Sequence, residues 1–297
     1  MDNCLVSFIV LTYNRKDELI QALKSIQSQS YHPKEIIVVD NGSTDGSSTL
    51  IKESFPSVKL IRLSNNVGAC KGRNIGIQNA QGDVLIFIDD DAFFVDRNST
   101  KLIVNRLLSE ENLGLIGCKI FNLPKNGIDR KEIPRRDKKI IEHEHETTYF
   151  VGTGFALKRK VIESVGLFPE DYFYSGEELD LSFRMIEAGF KIIYFPKVVV
   201  YHNVSPKGRP VWQRSYYLTR NRIWLALKYL PTHYAILHST CWLVFMFYES
   251  MLRGFLRYYF RGVFDSIKGL LPILKCRKVL STKTIRKLRL LSGRLYY

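Results

Sequence analysis

Three consecutive carboxylates, Asp89, Asp90 and Asp91, close the apolar run Val84–Ile88. Five apolar residues in a row read as a strand buried on both faces, because a half-buried strand alternates. Side chains along a strand alternate in direction, so Asp89 and Asp91 are expected on one side, and two like charges that close call for a cation between them. Oxygen ligands of this hardness suit Mg²⁺ or Mn²⁺. The plain alternative is a polar turn after a buried strand. Asp40 follows the strand-like stretch Glu35–Val39 and either accepts a hydrogen bond from a ligand or caps the helix after it. Further along, Glu177, Glu178 and Asp180 open a helix, and Ser175 and Glu178 have the S-x-x-E spacing of a capping box, which accounts for the acid without chemistry. His143-Glu144-His145-Glu146 has the residue types of a metal cluster but sits in a solvated charge run. The lone His202, after a strand, reads as a structural residue rather than a ligand.

The surrounding elements decide what these residues can share. Val6–Leu11 reads as a strand, followed by the polar stretch Thr12–Arg15 and a helix whose apolar residues Leu19, Ile20, Leu23 and Ile26 have helical spacing. The pattern recurs: strands at Glu35–Val39, Val58–Leu63 and Leu113–Phe121 alternate with helices at 47–53, Ala69–Ala80 and Asn98–Leu108. Alternation of this kind implies a mainly parallel sheet, which binds ligands at the carboxyl ends of its strands. Thr12, Tyr13, Asn14, Asp40 and Asp89 are all expected at that edge. Asn122–Glu146 reads as a long surface insertion, Tyr149–Leu157 as a strand whose Gly152 and Gly154 permit a close approach, and Lys191–Phe195 and Val198–Tyr201 as two short strands.

Composition divides the chain. Of its 297 residues 45% are hydrophobic and 25% charged, which excludes wholesale disorder. The net charge of +15 is unevenly placed: residues 1–203 hold 26 Lys and Arg against 27 Asp and Glu, whereas 204–297 hold 18 against 2. Five scattered cysteines without a CxxC pair indicate neither a disulfide framework nor a zinc site, and fit a reducing compartment. In the basic part, Arg253, Arg257, Arg261, Asp265 and Lys268 recur at three or four residues while Leu252, Phe255, Leu256, Tyr259, Phe260, Val263, Phe264, Ile267 and Leu271 fill the other face. This is the pattern of a basic amphipathic helix lying in a membrane interface; the alternative is a helix packing that face inward. Tyr234–Tyr248 is uncharged but shorter than the roughly 20 residues of a spanning helix. Lys275–Lys278 and Lys283–Arg294 add charge that anionic lipids attract, and no nucleic-acid-binding motif accompanies it.

Taken in order, Ser7–Asn14, Val38–Gly46, Asn66–Gly68 with Arg73–Gly76, the acid triplet and Gly176–Leu181 resemble the motifs of family 2 glycosyltransferases, from about residue 5 to residue 224. Within that family the chain is similar to the rhamnosyl- and galactofuranosyltransferase-like branch, where a histidine follows the last strand as His202 does and Tyr216-Tyr217 precedes Arg220-Asn221. The resemblance implies an α/β, doubly wound mixed sheet of the GT-A fold over residues 1–222, and the basic amphipathic pattern adds a helical, membrane-associated tail over 223–297. It implies that Thr12, Asn14, Asp40 and Arg73 bind the base and ribose of a sugar nucleotide, with Arg15, Asn66, Gly68, Asp89 and Asp90 in the same site. Asp89, Asp91 and His202 would hold Mn²⁺ or Mg²⁺. Glu178 matches the general base, with Glu177 as the lesser candidate and Asp180 supporting the acceptor pocket. Arg209 and Arg214 are candidates for extra donors to the leaving phosphate. A single base without a second nucleophile implies inversion. The expected function is transfer from a nucleotide-diphosphate sugar to a hydroxyl of a lipid-linked glycan, by a peripheral or monotopic enzyme on the cytoplasmic membrane face. The alternatives are a tail used for homo-oligomerisation and a catalytically silent scaffold that binds nucleotide or a partner enzyme.

Overall fold

The computed structural model describes residues 4–135, 137–139, 142–293 and 295; Arg294 of the basic tail lies outside them. Strand β1 (Val6–Thr12) leads into α1 (Lys16–Gln27), β2 (Lys34–Asp40), α2 (Ser47–Ser54), β3 (Lys59–Arg62), α3 (Ala69–Asn79) and β4 (Val84–Ile88). These four strands are parallel, in the order β3-β2-β1-β4. Every residue of β4 is buried, as a continuous apolar run requires. Alternation then sorts the side chains. Phe8, Val10, Ile86 and Ile88 join Leu19, Leu23 and Ile103 on one face, while Ile9, Leu85 and Phe87 join Ile77 and Phe155 on the other.

The second half of the sheet is mixed. After β5 (Ala92–Phe94), α4 (Ser99–Leu108) and β6 (Leu113–Asn122) come β7 (His145–Thr147), β8 (Gly154–Lys158), α5 (Arg159–Val165), α6 (Glu177–Glu187) and β9 (Lys191–His202). β8 inserts antiparallel between β4 and β6, and β9 lies parallel to β6 with β5 and β7 antiparallel on its outer edge. The two strands expected at Lys191–Phe195 and Val198–Tyr201 are one. The register on β6 jumps from Cys118 opposite Phe195 to Lys119 opposite Val199, so Pro196 falls in a bulge where its missing N–H breaks no ladder bond. The strand expected from Tyr149 begins only at Gly154, because residues 149–153 leave the ladder to line a cleft.

The last third is not a separate tail. Helix α7 (Trp212–Tyr229) runs uninterrupted across residue 222, where a boundary was expected; α8 (Thr232–Leu252), α9 (Leu256–Lys268) and α10 (Leu270–Lys275) fold back onto it, and α11 (Thr282–Leu290) follows. Trp224, Leu225, Leu230, Ile285 and Leu288 belong to the same buried cluster as Leu179, Leu181 and Phe183 of α6. Among the described residues, α8 is the one helix long and apolar enough by length and composition to cross a membrane. One stripe of it, Ala235, His238, Trp242, Met246 and Ser250, is buried against the protein.

Candidate active site

The acid triplet occupies the turn between β4 and β5. Asp89 N–H donates to Thr153 O (3.0 Å) and Ala92 N–H to Asp89 O (3.1 Å), so the chain reverses within three residues. The turn, rather than strand alternation, brings Asp89 and Asp91 together. Asp90 and Asp91 point inward, 4% exposed, and share one guanidinium: Arg15 Nη1 lies 2.8 Å from Asp90 and 2.9 Å from Asp91. Burial, opposed by Arg15 and reinforced by Asp91, pushes Asp90 up to about 6. Asp91, although burial also raises it, is held well below the usual carboxylate range by His202, Arg15 and the Ser205 N–H.

His202 arrives by sheet register. Ala92 of β5 pairs with His202 of β9, which sets the imidazole beside the preceding residue, Asp91. The donor atoms of Asp89, Asp91 and His202 lie within 4.8 Å of one another. Asp91 Oδ1 is buried, makes no hydrogen bond and stands 3.3 Å from His202 Nε2. Two carboxylates and an imidazole around an unsatisfied buried oxygen fit Mn²⁺ or Mg²⁺. The other ring nitrogen, Nδ1, contacts Glu132. Burial alone would lower the imidazole, but Asp91 and Glu132 outweigh it and push His202 up to about 10.

Glu132 is a site residue that the sequence hid. It sits 8% exposed in a single 3₁₀ turn of the insertion, with no local motif to mark it. A carboxylate behind a ligating histidine fixes the ring and its tautomer, and its loss typically lowers metal affinity roughly 10–100-fold. Glu132→Gln is therefore expected to weaken Mn²⁺ binding by about that factor, read by electron paramagnetic resonance, while the fold is retained. Unchanged Mn²⁺ affinity would separate Glu132 from the site.

Beside the triplet lies a cleft of about 220 Å³. Thr12, Arg15, Asn66, Gly68 and Arg73 line it, together with Asp89, Asp90, Glu177 and Glu178. Asp40 and Asn14 do not. Asp40 is fully buried; it accepts from Ser43 N–H (2.8 Å) and from the Ser48 hydroxyl, so it braces the loop rather than facing a ligand. Asn14, at φ +53°, accepts from Thr44 N–H (2.8 Å) and pins the two loops together. Asn41, itself buried, lines the cleft instead. It donates to Asn66 Oδ1 (3.0 Å) and Gly68 O (3.3 Å) and accepts from Val67 N–H (2.9 Å). Tyr13, Phe173 and Tyr174 supply aromatic walls, and Arg209 lies 5.2 Å over the Tyr174 ring. Although burial opposes it, the surrounding Tyr174 and aspartates keep Arg209 firmly protonated.

The capping box does not form. Helix α6 starts at Glu177 behind a left-handed Gly176 (φ +97°), with no side-chain cap, and Ser175 itself has φ +69°. Ser175 is thus one residue too early to cap, and Glu178 is released from the helix end. Asn221 on α7 holds this turn by donating from Nδ2 to Tyr172 O, Tyr174 O and Ser175 O at 3.0, 2.9 and 2.7 Å. Glu177 points inward to Arg73 Nη1 (2.9 Å); burial and repulsion from Glu178 push it up to about 7 against that partner. Gly152 faces both side chains. A Cβ there would meet Glu178 Oε1 at 2.8 Å and Arg73 Nη2 at 3.1 Å, so a larger residue would displace the Glu178 carboxylate. Asp180 lies outside the cleft, 1% exposed and bound to Arg184 Nε (2.8 Å), whose other nitrogens donate to the carbonyls of 165–167. It stabilises the α5 terminus. Arg214 is also outside, bound to Glu249 (2.9 Å). In the histidine-rich run, Glu144 pairs with Arg106 and His145 Nδ1 contacts His143 O; no metal-ligand group forms there among the described residues.

The glycosyl transferase family 2 model matches residues 7–166, which includes the acid triplet and stops before Glu178 and His202. An uncharacterized glycosyltransferase of Bacillus subtilis is 26% identical, over 68% of this chain and 65% of its own length. The O-antigen chain rhamnosyltransferase RfbN of Salmonella typhimurium is 24% identical over 71% of this chain and 70% of that protein. Among solved structures, GalNAc-T7 with UDP, GalNAc and Mn²⁺ superposes with a TM-score of 0.64 at 19% identity, covering 81% of this chain and 51% of that one. A mannosyltransferase of Pyrobaculum calidifontis with GDP-Man and Mn²⁺ gives 0.57 at 20% identity, covering 98% and 84%. The chain thus spans about two thirds of the first relative and half of the first structure. These likenesses establish the GT-A fold.

Proposed function

Because this chain belongs to glycosyl transferase family 2, we propose that it is an inverting, metal-dependent glycosyltransferase. It moves a sugar from a nucleotide diphosphate to a hydroxyl of a lipid-linked glycan at the cytoplasmic face of a membrane. The observation that carries the reading is the position of Glu178, a carboxylate freed from helix capping, in the same cleft as Asp89, itself a member of the Asp89–Asp91–His202 group. When bound by Asp89, Asp91 and His202, Mn²⁺ or Mg²⁺ supplies positive charge against the leaving diphosphate. Arg15 holds Asp90 and Asp91 in place, and Arg209 adds a fixed cation to the cleft wall. Glu178 takes the proton of the acceptor hydroxyl as it attacks the anomeric carbon, while Arg73 holds Glu177 away from that role. With one base and no second nucleophile, displacement is single and the configuration inverts.

The relatives carry different sugars in their names, so the nucleotide is the first quantity to measure. Calorimetric titration of UDP, dTDP, GDP and CDP into the full chain, with and without Mn²⁺, is expected to show tight binding of one of them only with metal. Absence of any binding by folded protein would leave a silent scaffold in place of an enzyme.

The membrane location is supported by what α8 and α9 leave uncovered. Helix α9 docks through Tyr259, Gly262 and Ser266, with no room for a Cβ at Gly262, 2.7 Å from Tyr216 O. Its large residues face out: Phe260, Phe264 and Ile267 are 57–63% exposed, flanked by Arg257, Arg261 and Lys268. Val244, Phe247, Tyr248 and Leu252 extend the apolar surface along α8. A helix that hid its stripe would do the opposite. Each such side chain contributes roughly 1.5–3 kcal/mol when fully removed from water. Replacing Phe260, Phe264 and Ile267 together with serine is therefore expected to weaken binding to anionic vesicles about 100-fold in a flotation assay, with nucleotide affinity unchanged. Equal flotation of the variant would detach this face from the membrane.

A further inference from the structure

Behind Glu178, on the side away from the acid triplet, a second cavity of about 420 Å³ opens. It shares Val151, Gly152, Ser175 and Glu178 with the cleft, so the candidate base faces both spaces. Its lining is strongly cationic. Arg130, Lys131 and Lys138 enter from the insertion and Arg214 and Arg222 from α7, against a single lining carboxylate, Glu178. Three of these cations are held in place by neighbours. Arg222, 7% exposed, lies 4.4 Å over the Trp242 ring; Lys138 donates to Tyr149 Oη (3.2 Å); Arg214 is steadied by Glu249. Partial desolvation lowers the proton affinity of Lys131, and Arg214 and Arg253 lower it further against Asp129 and Glu249. Glu249 offsets Arg214 and Glu178 adds one negative charge, which leaves the hollow net positive and suited to an anion.

The opposite wall is apolar. Trp242 and Phe245 come from α8, and Phe245, 42% exposed, continues into the uncovered surface of Val244, Tyr248 and Leu252. A soluble sugar needs neither five cations nor an aromatic exit onto an apolar helix face. An anionic group attached to a hydrocarbon needs both.

We propose that this cavity receives the phosphate or diphosphate that ties an acceptor sugar to a lipid, the lipid leaving over Phe245 along α8 and the sugar hydroxyl reaching Glu178. The anion site stands on the cavity itself; only the meeting with Glu178 rests on the transferase reading. Guanidinium forks and lysine ammonium groups bind phosphoryl oxygens through charge-assisted hydrogen bonds.

The test uses the full chain in a neutral detergent, with EDTA present so that the metal-dependent cleft does not take the probe. Farnesyl diphosphate, farnesol and inorganic pyrophosphate are titrated calorimetrically. Farnesyl diphosphate is expected to bind most tightly, and Arg222→Gln and Lys131→Gln each to weaken it about tenfold or more, the scale of one hydrogen bond to a charged group. Lys131 is exposed, so its replacement reports even if Arg222→Gln misfolds, and Lys52→Gln, on α2 and outside both cavities, should change nothing. Farnesol binding as tightly as the diphosphate, or Lys131→Gln and Lys52→Gln having equal effects, would overturn the anion site. Pyrophosphate binding as tightly as farnesyl diphosphate would overturn the lipid assignment. Nucleotide titration with Mn²⁺ on the same preparation separates the two readings. Nucleotide binding without farnesyl diphosphate binding removes this inference alone, and the reverse removes the transferase reading while the anion site stands.

Discussion

Asp91→Ala is expected to abolish Mn²⁺-dependent nucleotide binding. Asp91 Oδ1 is the buried oxygen that faces His202 without a hydrogen bond, and Oδ2 accepts from Ser205 N–H at 3.0 Å and pairs with Arg15. The substitution removes a would-be ligand and half of the charge that anchors Arg15 and His202. Losing an outer partner of a ligand typically costs roughly 10–100-fold in metal affinity, and losing the ligand itself should exceed that. Removing one member of a buried ion pair also destabilises by about 3–5 kcal/mol, so Asp91→Asn, which keeps the shape and the Ser205 contact, serves as the companion variant. Calorimetry with and without Mn²⁺ decides: unchanged affinity in metal for both variants removes the metal assignment from Asp91.

Glu178→Gln is expected to stop turnover while leaving donor binding intact. The amide keeps the size of the side chain but cannot accept a proton, and general base catalysis typically contributes about 10²–10⁴ in rate. Its stability should hardly change, because Glu178 caps nothing in the observed helix start. Glu177→Gln makes the contrast. That side chain is buried on Arg73, itself in contact with Asp89 at 3.4 Å, so its loss should disturb the donor side and raise the donor dissociation constant more than it lowers kcat. Near-normal kcat in Glu178→Gln would return the residue to a merely local role at the start of α6.

Much of the first half was legible because its signals are local. The run Val84–Ile88 is buried at every position and ends in the acids as expected, and the strands at Val6, Lys34 and Leu113 begin within a residue of their expected starts. What failed were readings in which several partners compete for one side chain, most of them brought together only by the fold. Asp40 has the residue type of a ligand acceptor, yet the Ser43 N–H and the Ser48 hydroxyl at the start of α2 take both oxygens and leave Asn41 in the cleft. Ser175 and Glu178 have capping spacing, yet Asn221 pulls the turn into a left-handed bend that shifts the helix start by one residue. Glu132 carried no signal because its role exists only once β9 brings His202 beside the insertion. The amphipathic pattern near Phe260 was readable, but which face would be covered depended on Gly262 and Ser266 offering a surface small enough for α7.

The clamp made by Asn221 bears on how such a chain can be divided and recombined. The matched family segment ends at residue 166, whereas the bend that presents Glu178 is tied down from α7, which shares its buried cluster with Ile285 and Leu288 near the far end. A hybrid that grafted only the segment around Glu178 from a relative would therefore inherit the side chain without the grip that aims it. Exchange of acceptor preference between members would need residues 172 to 290 moved as one block, and half-way grafts should fold yet turn over poorly.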